Sequence, residues 1–180
     1  RRILLVTCYG HFMSHFNMLV FPALVLPLSD KTGLSLAQVL NLSFGQYLLF
    51  GLSALPWGLA ADRLGPRPLM KLYFLGAGLC GLASAYFIDS PAALPWALAG
   101  IGLFSGIYHP AGLGLISKSI KRVSAAMGYN GMFGNMGLAA APLLTGLINY
   151  LSGPAAAYVF VGLLNLVEAS RGDDNAATSL

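Results

Sequence analysis

An all-α integral membrane bundle of six transmembrane helices is the fold this chain predicts, and three observations predict it. Apolar residues make up 57% of the 180 residues and charged residues only 9%, where a soluble domain carries about 25% charged residues. Five apolar runs are long enough to cross a bilayer as helix, which takes roughly 20 residues, and a sixth is shorter. The basic residues between the runs fall almost entirely on one side. No alternating short strands of a membrane barrel are present, which leaves helices.

The runs are Ile3–Leu28, Leu36–Ala60, Leu69–Ile88, Ala92–Ser117, Val123–Leu151 and Pro154–Val167. The last is short and gives way to Glu168, Arg171, Asp173 and Asp174 and a polar tail over 171–180, so it is expected to be incompletely represented or abnormally ended. Ser35 with Gln38 reads as a capping box opening the second helix. Asp89-Ser90-Pro91 and Ser152-Gly153-Pro154 read as tight turns. Even-numbered crossings return the chain to its starting side. Arg1, Arg2, Arg63, Arg67, Lys71, Lys118, Lys121, Arg122 and Arg171 therefore share one face, with Lys31 alone opposite. The positive-inside rule makes that face, and both termini, cytoplasmic.

Several functions are disfavoured. The net charge of +4 sits in short loops, not in a basic stripe with interleaved aromatics, so no nucleic-acid partner is expected. Cys8 and Cys80 lie in apolar runs, where free thiols pack as small hydrophobes, and neither a disulfide framework nor a metal-ligand spacing is visible. No cofactor is implied. Paired carboxylates and a Ser-His-Asp arrangement are missing from the spans, so an enzyme is not expected. The chain starts at Arg1 without a methionine, which suggests a fragment, and its first run is too long for a cleavable signal.

The densest charge cluster after the N-terminus is Gly58-Leu59-Ala60-Ala61-Asp62-Arg63-Leu64-Gly65-Pro66-Arg67-Pro68. It reads as helix, tight turn, helix: Gly65 supplies backbone freedom and the prolines stop helix continuation. A carboxylate beside basic groups there can pin one helix end to its neighbours, although a topogenic charged loop would look similar. The pattern G-x-x-x-D-R-x-G-x-R, carried by Gly58, Asp62, Arg63, Gly65 and Arg67, resembles the loop between the second and third helices of major facilitator superfamily transporters. Pro66 stands where that family often has a second basic residue. The resemblance implies the N-terminal six-helix half of such a transporter, with Asp62 and Arg63 latching its cytoplasmic side.

Gly51-Leu52-Ser53-Ala54-Leu55-Pro56 matches Gly137-Leu138-Ala139-Ala140-Ala141-Pro142, and Gly45 matches Gly131 at the same offset. Helices two and five are therefore expected to be equivalent, and three plus three crossings give the second unit inverted topology. Helix five carries Gly128, Gly131, Gly134 and Gly137, a stripe that lets another helix approach closely. With Pro142 it also resembles the helix-five motif of superfamily antiporters, although Ala141 and Thr145 replace two of that motif's glycines. A packing and kinking helix is the plainer reading.

The spans hold no Asp, Glu, Lys or Arg away from their ends, which leaves His11, His15 and His109 as the groups able to change charge near neutral pH. Ionisable groups in a membrane are costly and are functional candidates. His11 and His15 are four apart and share one helix face, continued by Met18 and Pro22. His109 precedes Pro110, which removes a backbone donor and frees a carbonyl. His11 lies eight residues in from Ile3 and His109 eight in from Ser117, so both are expected about 12 Å deep from the cytoplasmic face. In the family they would meet across the central cavity, with Tyr108, Asn17, Gln46 and Asn130 as polar neighbours. A structural hydrogen-bonding role is the alternative for each histidine, and Gly102 with Gly106 reads as packing.

Proton-coupled members commonly carry an arginine in helix four, where this chain has Leu98, so a histidine would have to carry any proton. Tyr108-His109-Pro110, Gly131-Met132-Phe133-Gly134-Asn135-Met136-Gly137 and Pro142-Leu143-Leu144 look like the fosmidomycin-resistance type of efflux carrier. The resemblance implies secondary active transport of a small molecule by alternating access, by efflux or proton coupling. The bacterial inner membrane, its lipid and a C-terminal half outside this chain are the implied surroundings. The alternative is a non-transporting membrane assembly or interaction protein that keeps the half-fold.

Overall fold

The computed structural model describes residues 2–171; the polar tail assigned to 171–180 lies, apart from Arg171, outside them. The described residues form nine helices and no strands, which group into six rods. The first rod is α1 (Arg2–Thr32). The second comprises α2 (Leu36–Leu42), α3 (Phe44–Leu52) and α4 (Ala54–Leu64). The third is α5 (Pro66–Tyr86), and the fourth comprises α6 (Leu94–Ser105) and α7 (Tyr108–Ser119). The fifth and sixth are α8 (Val123–Ser152) and α9 (Pro154–Arg171). By length and composition four of these are apolar enough to cross a membrane, or five if the second rod, bent by 43° at Ser53, is one span.

The breaks have local causes. Pro56 cannot donate to Leu52 O, and the second rod bends there. Pro110 likewise leaves Gly106 O without its helical donor, and Ile107 N–H turns to Phe104 O. Leu103 O is thereby released, and it accepts Trp57 Nε1–H at 2.9 Å and Ser53 Oγ–H at 3.3 Å. One proline thus accounts for both the break between α6 and α7 and the tie of the fourth rod to the second. Pro142 behaves differently: it stands on the exposed side of α8, which stays unbroken from Val123 to Ser152. The helix that carries the sixth apolar run extends past Val167 to Arg171, with Glu168 partly buried in it. A charged residue ended the apolar run there without ending the helix.

The rods pair as α1 with α8, α3 with α6, and α5 with α9. Exchanging the first three rods for the last three turns the first of these pairs into the second and leaves the third unchanged. The inverted repeat is therefore written in the packing. The connectors repeat too, for Gly65 (φ 84°, ψ 158°) and Gly153 (φ 82°, ψ 172°) each precede a proline that opens the next helix. That backbone region is essentially glycine-only, and proline suits the first helical position.

Glycine mediates all three interfaces. A β-carbon on Gly102 would strike the Gln46 backbone, and one on Gly106 would strike Ser53 Oγ and Phe50 O. On α8, Gly137 lies against the Phe12 backbone; between α5 and α9, a β-carbon on Gly81 would sit 3.0 Å from Gly162 Cα. The four-glycine stripe expected on helix five is only half in contact, since nothing lies within 4 Å of a β-carbon on Gly128 or Gly131. Three residues turn a helix by about 300°, so each step of three drifts about 60° off the contact line. The buried line of α8 runs instead through Ala126, Asn130, Gly134, Gly137, Ala141 and Thr145.

Candidate functional site: a three-histidine cluster

α1 and α7 bring the three histidines together. The ring centroids lie 4.9 Å apart for His11 and His15, 5.3 Å for His11 and His109, and 5.6 Å for His15 and His109. His109 stands edge-on to both partners, and Phe50 adds a fourth ring 5.9 Å from it. All three imidazoles are half-buried, so the cluster borders an open face.

The His11 ring is held from three sides. Its face stacks on Tyr108, with centroids 5.0 Å apart and planes 20° apart. Its Nδ1 is 2.9 Å from Asn130 O. A carbonyl can only accept, so the hydrogen sits on Nδ1 and the lone pair on Nε2. That Nε2 lies 3.1 Å from His15 Nε2 and accepts its hydrogen. The third side is Gly134 of α8, where a β-carbon would lie 2.7 Å from His11 Cε1.

Tyr108 is fully buried and organises the wall behind the histidines. Its ring fits over Gly10 of α1, where a β-carbon would approach to 2.8 Å, and over Gly112 one turn along α7, where one would approach to 2.5 Å. The Tyr108 hydroxyl donates to Thr7 O at 2.8 Å and accepts Asn130 Nδ2–H at 2.7 Å. Asn130 also donates to Thr7 O at 3.0 Å. Three rods are tied at one point, with no formal charge. Thr7, Gly10 and Gly112 were not singled out in the sequence, because a backbone carbonyl and a missing side chain leave no chemical signature in a letter string.

Asn17 and Gln46, expected beside the histidines, belong to a separate buried layer. Asn17 Nδ2 donates to Ser105 Oγ at 3.3 Å, and Asn165 Nδ2 of α9 donates to Asn17 Oδ1 at 3.0 Å. Gln46 Nε2 donates to Asn17 O at 3.3 Å. Two residues beyond His15, Asn17 is turned about 200° round the helix and points into the bundle. Met18, which helix pitch keeps within about 60° of His15, is nonetheless buried, while Pro22 continues the open face. Asn165 was legible only as a polar residue inside an apolar run.

At the basic end, the Gly58–Arg67 segment forms the expected helix–turn–helix about Gly65. Asp62 reaches Lys118 at the end of α7, 3.8 Å away, while Arg63 and Arg67 are exposed. A β-carbon on Gly58 would lie 3.7 Å from Pro110 Cβ. The partner Lys118 was hidden because it lies on another rod, at the end of α7. At the opposite end Lys31 pairs with Asp89.

The three histidines also share a spacing that the sequence does not display. One ligand nitrogen from each of His11, His15 and His109 lies within 4.8 Å of the others; the third comes from a different helix, which linear spacing cannot show. A comparison with curated proteins gives no match. Residues 7–170 match the family model described as Major Facilitator Superfamily.

Proposed function

The chain belongs to the major facilitator superfamily of small-molecule membrane transporters, and from that premise we propose that the three-histidine cluster lines its transport cavity. The bundle works by alternating access against a second six-helix half, with its basic loops in the cytoplasm. The observation that carries this reading is the convergence of His11, His15 and His109 on a half-buried face between α1 and α7. Among the polar groups of the apolar spans these are the ones able to change charge near neutral pH, and they border an open side. Tyr108 and Asn130 act behind them as positioning residues. With Leu98 where proton-coupled members carry arginine, the imidazoles are the groups able to exchange a proton during export, and the likeness to fosmidomycin-resistance carriers supports efflux.

Transport by the protein reconstituted in proteoliposomes tests the reading. His109→Gln is expected to lower the rate at least about tenfold, the factor that ~1.4 kcal/mol represents, with insertion and monodispersity unchanged. Full transport in that variant would remove the cluster from the pathway. Lack of transport by the unsubstituted protein under every imposed gradient, with the second six-helix half supplied, would favour the assembly-protein alternative.

A further inference from the structure

We propose that His11, His15 and His109 form a binding site for a borderline divalent transition-metal ion of the Zn2+ type. The inference deepens the cavity reading above and rests on it for the site's access to solute, but the binding itself requires no transport.

The donor set fits such an ion. Three imidazoles suit Zn2+, Ni2+, Co2+ and Cu2+, whereas Mg2+ and Ca2+ require oxygen ligands that the cluster lacks. His11 and His15 stand four apart on one helix, the spacing by which helical zinc motifs present two ligands on one face. Two nitrogens bound at 2.0–2.1 Å in a tetrahedral site lie about 3.3 Å apart. His11 Nε2 and His15 Nε2 are 3.1 Å apart, close to that spacing before any movement. The third nitrogen, within 4.8 Å of the others, closes the set by rotation of the His109 side chain.

The outer partners fit as well. Metal-binding histidines usually donate the other ring N–H to a carbonyl or carboxylate, which fixes the tautomer and aims the lone pair. His11 has that arrangement, its Nδ1–H held by Asn130 O at 2.9 Å and its ring clamped between Tyr108 and Gly134. On binding, the His15 hydrogen moves from Nε2 to Nδ1, and the hydrogen bond between the two imidazoles is replaced by two bonds to the metal. Three neutral ligands leave the ion's charge uncompensated, and the carboxylates of the described residues, Asp30, Asp62, Asp89 and Glu168, lie at helix ends. The remaining coordination position on the half-buried side therefore takes water, hydroxide or an anionic oxygen of a small molecule.

The test uses the detergent-purified protein titrated with Zn2+ and Co2+, with Mg2+ as the contrast. Expected are one equivalent of Zn2+ or Co2+, no saturable Mg2+ binding, and affinity lowered about tenfold or more by His109→Gln or His15→Gln. X-ray absorption at the zinc edge of the unsubstituted protein reads the ligands without a variant that has to fold, and three imidazole nitrogens are expected. An all-oxygen shell, no binding, or unchanged affinity in both variants would overturn the metal site. If transport nevertheless falls in those variants, the cavity reading survives the loss of the metal. If metal binds as expected while transport is unaffected, the metal site stands and the cavity reading fails.

Discussion

His11 of α1 rests its imidazole edge on Gly134 of α8, leaving 2.7 Å between Cε1 and the place a β-carbon would occupy. Gly134→Val therefore has to displace the ring that two other histidines meet. Overpacking costs typically about 1–3 kcal/mol. We expect a lower melting temperature in detergent together with loss of transport. Gly128→Ala, with open space around it, should be neutral or stabilising by up to about 1 kcal/mol. Equal effects of the two substitutions would contradict this division of the glycine stripe.

Tyr108→Phe keeps the stack on His11 but removes the hydroxyl shared by Thr7 O and Asn130 Nδ2. Asn130 retains Thr7 O, so no buried amide is stranded. The expected loss is about 0.5–1.5 kcal/mol, read from thermal unfolding in detergent. A loss several times larger would mean that the ring itself had moved.

Asp62 and Lys118 are mostly exposed, at 80% and 60% of their side chains, and 3.8 Å apart. Such pairs contribute about 0–1 kcal/mol, so Asp62→Asn should barely change stability. As a latch between the second and fourth rods it should nonetheless reduce transport. Lys118→Gln should reproduce the defect, and the double variant should be no worse than either single one. Additive defects in transport rate would show that Asp62 works through another partner.

Gly65→Ala forces a β-carbon into a backbone region at φ 84° and ψ 158°, at a cost of about 1–3 kcal/mol. Gly65→Ala should therefore lower the melting temperature in detergent and also slow transport by re-aiming α5 against the Asp62 turn. An unchanged melting temperature would count against the assigned strain.

How much of this was legible in the sequence follows from what each feature depends on. Burial in lipid is a property of runs of side chains, so the rods, the Ser35–Gln38 cap and the turn at Gly65 could be read residue by residue. The proximity of His11 and His15 was likewise readable, being fixed by helix pitch. Which of Asn17, Gln46, Tyr108 and Asn130 stands beside them was not, because that depends on the rotation of each helix about its axis. Rotation is set by close approaches such as Gly10 to Tyr108 and Gly102 to Gln46, which are pairwise events between distant positions. The course of the sixth helix beyond its apolar run was not readable for a different reason: hydropathy reports the solvent a side chain prefers, whereas helix continuation depends on backbone donors that Glu168 does not interrupt.

The exchange of the two three-rod units, α1 with α8 becoming α3 with α6, bears on the shape changes open to this bundle. A scaffold whose rod pairings map onto themselves when its two units are exchanged treats its two poles alike: a deformation that splays it at one rim has a counterpart that splays it at the other. Two opposed postures then come from a single architecture, and modest chemical asymmetries at either rim suffice to choose between them.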